Sequence, residues 1–358
     1  MDLFKITRSV ALSTLVGSMA FAWGDLGHQT VGEIAQRHLS GKGQRLVKDL
    51  LGNGPLAEAA TFPDLVRSDE DYKEFSNFHF VEIDPRYYGN YDQIPFALRE
   101  KVDANNMIVG VPQKIFSGLL GQKFSRPQKM DMMRYLVHLV GDVHQPLHVG
   151  NGYDRGGNWC DIKYKAGKSE KSSNLHSFWD SVLVDDVFYA QKEKDPNYKM
   201  PSWKGFKELA DLIMADQKEM KKQVVMEAPI TEWYKESQEL HKKVYPDGAR
   251  TFHPSEREYC RRLVKDANGK TEKDQRGVDK VLQKTSGAVA EISAEYMTEA
   301  SEIVKSQIMK AGLRLAYLIN GIAEKRYRGI RAIDINSKKV ADLDEILKAF
   351  EKENLKIK

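Results

Sequence analysis

Tyr135-Leu-Val-His138-Leu-Val-Gly141-Asp142-Val-His144-Gln145-Pro146-Leu147-His148-Val-Gly150 sets three histidines and an aspartate into an otherwise apolar run. Unpaired polar groups cost free energy away from water, so a buried helix with this many imidazoles calls for something that binds them. His138 and Asp142 are four residues apart and stack on one helix face within reach of one ion. Pro146 removes a backbone donor and ends or kinks the helix near Gln145, which lets His148 turn back toward that pair. His144 lies roughly 200° around the helix from Asp142 at about 100° per residue, so it is expected to point elsewhere, in a structural role. A core helix whose histidines bond backbone carbonyls is the bland alternative, and the clustering weighs against it.

Leu175-His176-Ser177-Phe178-Trp179-Asp180 repeats the device, with His176 and Asp180 again four apart. Upstream, His28, Asp64 and His79 stand in short apolar or aromatic surroundings, where each alone reads more readily as structural. Imidazoles mixed with carboxylates suit zinc, whereas magnesium and calcium prefer all-oxygen shells. The ligands are too many for one tetrahedral ion, which indicates a cluster of two or three. Such clusters clamp the attacking and leaving oxygens of a phosphate ester and offset its developing charge. The chemistry these residues imply is metal-assisted hydrolysis of a phosphate ester.

The 358-residue chain is 30% charged and 41% hydrophobic, ordinary values for a soluble globular protein able to bury a substantial core. Its formal net charge of +4 permits an anionic substrate without arguing for one. Met1 to Ala22 reads as a signal peptide: Lys5 and Arg8 precede an apolar Val10–Met19, and Ala20-Phe21-Ala22 supplies the small residues of a cleavage site. That apolar run is too short to span a bilayer, and no other segment reads as a membrane span. Cleavage there makes Trp23 the first residue of the mature protein. The two cysteines, Cys160 and Cys260, either pair in an oxidising compartment or remain free buried thiols.

The periodicity is mainly helical. Trp23 to Leu51 carries two apolar stripes, the second stopping at Gly52. Ala57–Tyr72 is less regular, Asn77–Ile83 alternates briefly, and Phe96–Leu120 reads as a helix or two. The histidine-bearing helix begins near Pro127, the one convincing strand is Trp159–Tyr164, and Ser173 and Asn174 cap a helix from Leu175. Long helical patterns cover Trp203–Val225, Ile230–Val244 and Val278–Glu324, with a Lys-rich stretch from Pro246 to Lys273.

These residues resemble the S1/P1 nuclease family, zinc-dependent single-strand nucleases related in fold to zinc phospholipase C. The matching pieces run in order: Trp23-Gly24-x-x-Gly27-His28, Asp64-x-x-Arg67, Phe78-His79-Phe80, His138 to His148, Asp154-x-Gly156-Gly157-Asn158, Asn174-Leu175-His176-x-x-Trp179-Asp180, Trp233-x-x-Glu236-Ser237 and Arg314-Leu315-Ala316-x-x-x-Asn320. The resemblance implies a mainly α, single-domain fold with a minor β element over residues 23–323; the tail over 324–358 has no counterpart in the family, and its Val340, Leu343, Ile346, Leu347 and Phe350 make one helical stripe. It implies three zinc ions. Asp64, His79, His138 and Asp142 would hold one, His148, His176 and Asp180 another, and the α-amine and carbonyl of Trp23 with His28 the third, bridged by Asp142. Asp64 would also position the attacking water, Arg67 would face the phosphate, Asn158 would touch substrate, and Phe80 would stack on a base. The implied activity is cleavage of single-stranded RNA and DNA to 5′-phosphorylated products, with 3′-nucleotidase action, by an exported enzyme with no protein partner implied. A phospholipase C acting on phospholipid head groups is the alternative, and Asp180, where the phospholipases carry glutamate, argues against it. A non-catalytic metal-binding protein is a third reading, against which Asp64 and Arg67 both stand in place. This chain departs from the family in Phe78 and Phe80, where Trp or Tyr is frequent, and in Val81-Glu82-Ile83-Asp84, which leaves base preference open.

Overall fold

The structure is a computed structural model that describes residues 23–70, 124–151, 153–187, 205–220 and 289–324 throughout. It also describes Leu119 and much of 72–82, 222–246 and 259–282. The expected signal peptide, the helical pattern of Phe96–Leu120 apart from Leu119, and the C-terminal extension from residue 325 lie outside the described residues.

The two apolar stripes at the start become α1 (Asp25–Arg37) and α2 (Gly41–Leu51). Ser40 caps α2 by accepting from Gly43 N at 3.1 Å, and Gly52 ends it with φ 81°. Two short helices follow, α3 (Leu56–Ala59) and α4 (Phe62–Val66), and then β1 (Val81–Glu82). The stretch that decides the fold is α5 (Arg126–Val143). Ser125 precedes it, and the Gln128 side chain reaches back to accept from Ser125 N at 2.7 Å.

From Met132 onward nearly every residue of α5 is buried, because α1, α2, α3, α4 and the later helices α9 (Ile230–Glu239) and α11 (Ala294–Ala323) surround it. A helix apolar on all sides is the central member of a bundle. Leu136, Val137, Leu139 and Val140 are all fully buried, each contributing about 1.5–3 kcal/mol. That gain offsets the cost of holding His138 and Asp142 among them.

After α5, a 3₁₀ turn over Pro146–His148 leads into β2 (Val149–Gly150), which pairs in parallel with β1, Val81 opposite Val149. β3 (Asp161–Ala166) and β4 (Ser169–Asn174) form a hairpin, and β7 (Ala290–Glu291) adds to β3 in parallel. Asn174 caps α6 (Leu175–Ser177), accepting from Ser177 N at 2.8 Å; the helix widens into a π turn over Phe178–Val182 and continues to Val187. The remaining elements are α7 (Phe206–Asp216), α8 (Lys222–Glu227), α10 (His241–Val244), and the pair β5 (Arg262–Leu263) and β6 (Val281–Leu282).

The mainly α class stands, with three corrections. The expected strand at Trp159–Tyr164 is shifted to Asp161–Ala166. β4 has no signal in the sequence, because Ser-Glu-Lys-Ser-Ser lacks apolar alternation and forms a strand only by pairing with β3. The helix expected from Val278 begins at Ala294, where Ser293 accepts from Tyr296 N, and the residues before it supply β6 and β7. Cys160 and Cys260 are joined by a disulfide, which ties the Lys-rich stretch to the start of β3.

Candidate metal centre

Six segments deliver buried titratable groups to one place at the C-terminal end of α5. His28 comes from α1, Asp64 from α4, His79 from the residues before β1, His138 and Asp142 from α5, His148 from the 3₁₀ turn, and His176 and Asp180 from α6 and its π turn. None is more than 7% exposed. They form three groups whose potential ligand atoms lie mutually within 4.8 Å: His28 with His138 and Asp142, Asp64 with His79 and His138, and His148 with His176 and Asp180.

Asp142 is the hub. One of its oxygens lies 3.3 Å from His28 Nε2 and 3.9 Å from His148 Nδ1. The other lies 3.2 Å from His79 Nδ1 and 3.3 Å from His138 Nε2. Asp64 stands 3.6 Å from His79 Nδ1 and 3.7 Å from His138 Nε2. His79 Nδ1 and His138 Nε2 are themselves 2.9 Å apart. At the other end Asp180 stands 3.3 Å from His176 Nε2 and 3.9 Å from His148 Nε2.

Backbone carbonyls occupy the outer nitrogens of three of these rings. His138 Nδ1 donates to Ala60 O at 2.6 Å, His176 Nδ1 to Gly156 O at 2.7 Å, and His148 Nδ1 to His79 O. Each such bond fixes the ring and turns Nε2 inward. The inward nitrogens of all three rings then face carboxylate oxygens. Asp64 Oδ1, both Asp142 oxygens, Asp180 Oδ2, His28 Nε2 and His148 Nε2 are buried without a hydrogen-bond partner. Buried polar atoms are ordinarily bonded, and a cluster of acceptors facing acceptors is compensated only by cations. The imidazole and carboxylate donors fit zinc.

The electrostatics divide the site. Among protein groups alone, burial lowers His138, but the charges of Asp142 and Asp64 outweigh it and hold the imidazole at about 9. Burial raises Asp142, yet three surrounding imidazoles keep it well below the usual carboxylate range. The other end lacks that balance. Burial pushes His148 far down and His176 down to about 4, and pushes Asp180 well up, with Asp64 and Asp142 adding to the rise.

Residues that the motifs contain without an assigned role support the centre. Gly141 lets α5 pass close to His28: a Cβ there would lie 2.7 Å from His28 Nδ1. Gln145 donates to Asp180 Oδ1 and accepts from Leu147 N, clamping both ends of the turn. Asp154 accepts from Gly157 N at 2.9 Å, from Tyr245 OH at 2.9 Å and from Asn151 Nδ2 at 3.1 Å, and so shapes the loop that aims the Gly156 carbonyl at His176. Gly156 and Gly157 have φ 58° and 82°, so the paired glycines were the available signal for that loop.

The structure brings the eight histidine and aspartate candidates together. Trp23 is fully buried beside them, its Nε1 donating to Gly141 O at 3.0 Å, and Gly24 N donates to Asp180 O at 2.7 Å. Arg67 is partly buried, and its charge reaches His176 and Asp180. Phe80 is partly buried against the core, and Asn158 Nδ2 donates to Arg155 O at 2.9 Å. His144 points away, as expected. Its Nδ1 donates to Val140 O at 2.7 Å and its Nε2 accepts from Arg314 at 2.8 Å.

Among curated proteins, the chain is similar to Nuclease S1 of Aspergillus oryzae, 28% identical over 185 residues that cover 49% of this chain and 60% of that protein. It is similar also to Endonuclease 4 of Arabidopsis thaliana, 29% identical over 192 residues, 50% of this chain and 61% of that one. Nuclease P1 of Penicillium citrinum is 28% identical over 168 residues, 45% and 58% of the two chains. The chain thus spans about three-fifths of the length of these curated relatives. The family model of S1/P1 Nuclease matches residues 23–273, the stretch that contributes all eight clustered side chains, and this chain belongs to that family.

Proposed function

We propose that this protein is a zinc-dependent phosphodiester hydrolase. Its substrates are single-stranded RNA and DNA, cut to 5′-phosphorylated products, and 3′-nucleotides. The observation that carries this reading is the set of buried, unpartnered carboxylate and imidazole atoms around Asp142, inside the stretch that matches the nuclease family. Zinc ions, three by this reading, supply Lewis acidity toward the phosphate and lower the pKa of water. His79, His138, Asp64 and Asp142 would hold one, His148, His176 and Asp180 another, and Trp23, His28 and Asp142 the third. Asp64 orients the attacking water. Arg67 neutralises charge on the phosphate, Asn158 binds the substrate, and Phe80 stacks on a base.

The third ion depends on Trp23 presenting a free amine, so the reading includes removal of residues 1–22 and export. No helix among the described residues is long and apolar enough to cross a membrane. Residues 23–323 are read as the catalytic unit and 324–358 as an appended segment. A phospholipase C acting on phospholipid head groups is the rival, disfavoured by Asp180. The deciding experiment incubates zinc-loaded protein beginning at Trp23 with single-stranded DNA, RNA, 3′-AMP and phosphatidylcholine. Hydrolysis of the first three is expected; if all three stay intact the proposal is wrong.

A further inference from the structure

Beside the metal centre, two arginines lie over one tryptophan. The guanidinium carbon of Arg155 is 4.7 Å from the centre of the Trp159 ring, and that of Arg261 is 5.8 Å from it. Both arginines are exposed and Trp159 is half-buried. The three are held by backbone and covalent links. Trp159 N donates to Asp154 O at 3.1 Å, Arg261 N donates to Trp159 O at 3.0 Å, and the Cys160–Cys260 disulfide lies directly alongside.

Arg155 has φ 54°, the only non-glycine residue at positive φ among those described. Local folding there favours glycine or asparagine, so an arginine held in that conformation directs attention to its side chain. Among the described residues neither guanidinium is ion-paired. A guanidinium lying on an indole keeps its in-plane N–H donors directed outward, a fork that matches phosphate oxygens. The cluster also adjoins the centre: Arg155 O accepts from Asn158 Nδ2, and the next carbonyl, Gly156 O, accepts from His176 Nδ1.

We infer that Arg155, Trp159 and Arg261 form a subsite for the phosphate backbone of a single-stranded nucleic acid, flanking the bond that is cut. Two separate cations held on one ring fit the successive phosphates of a strand rather than the single phosphate of a nucleotide. This inference rests on the nuclease reading above.

The test compares a single strand of about twenty nucleotides with 3′-AMP, using Arg155→Gly, Arg261→Ala and the double variant of the zinc-loaded protein. Arg155→Gly removes the side chain and suits the positive φ. KM for the strand should rise roughly tenfold per arginine, the size of one charge-assisted contact, with kcat retained. The slope of log KM against log salt should fall by about 0.7 per arginine, and KM for 3′-AMP should not move. Arg261→Lys, which keeps charge and loses the fork, should fall between. An unchanged KM for the strand in the double variant, or an equal rise for 3′-AMP, overturns the subsite while leaving the nuclease reading intact. Wild-type protein that hydrolyses neither substrate removes that reading, and the subsite with it.

Discussion

Arg314 donates to His144 Nε2 across 2.8 Å while its two terminal nitrogens fork onto the Glu236 carboxylate at 3.0 and 2.7 Å. Its third contact is the carbonyl of Val225. Burial and the Arg314 charge together push His144 far below its usual value, so the imidazole stays neutral and accepts. Ser237 and Gln307 cap the carbonyls of Val143 and His144 at the end of α5. One polar knot on α9 and α11 thus anchors the helix end that carries the candidate metal centre on its opposite face.

Replacing Arg314 with alanine should cost about 3 kcal/mol, near the low end for a broken buried pair because the Glu236 side chain is 30% exposed. The melting temperature should fall by roughly 2–4 °C per kcal/mol for a domain of this size. Metal content per folded protein should stay near wild type. Loss of zinc with unchanged melting would contradict the structural role.

Gly141→Ala should displace His28, since the added Cβ would lie 2.7 Å from one ring atom and 2.9 Å from another. Overpacking of this kind costs about 1–3 kcal/mol. Zinc counted by atomic absorption should drop by about one ion per chain. A variant with full metal content would place the third site elsewhere.

Metal-depleted protein should release about one proton or more on taking up zinc at about pH 7. His138, raised to about 9, is protonated there, whereas His148 and His176 are lowered and have no proton to lose from Nε2. Calorimetry in buffers of different ionisation enthalpy measures the number. Release should diminish as pH rises through about 9. The same shift gives the depleted protein stability that is present below about 6.5 and lost through about 9, because the folded state holds this proton more tightly. Zero protons at neutral pH would contradict the assignment.

Asp64→Asn and Asp142→Asn should separate chemistry from assembly. Asp142 meets four imidazoles within 3.9 Å, so its amide should lose zinc at more than one position. Asp64 meets two, and its amide should keep most zinc while kcat falls by about 10²–10⁴. Unchanged turnover in Asp64→Asn would remove it from the reaction.

A protein whose Trp23 amine is blocked by a short N-terminal extension should hold about one zinc fewer than the same chain beginning at Trp23. Equal stoichiometry in the two would count against Trp23 as a ligand.

Much of this is legible without the fold. Spacing of four on an amphipathic or apolar helix places two side chains on one face wherever the helix goes, so the His138/Asp142 and His176/Asp180 pairs and the exclusion of His144 follow from helical geometry. Caps act over three residues, which is why Asn174 and Ser293 mark real helix starts. The β4 strand and the residues ahead of α11 are not legible, since their conformation is set by partners on other segments.

What the sequence alone determined is the two local His–Asp pairs and the exclusion of His144, because these rest on periods within a few residues. Only the tertiary structure decided that α1, α4, α5 and α6 meet at Asp142. It also settled which ring nitrogen faces inward, through the carbonyls of Ala60, His79 and Gly156, and that Cys160 and Cys260 pair. Those contacts join residues 20 to 100 positions apart. No local propensity encodes such distances; they arise when burial of the apolar faces around α5 brings the segments together.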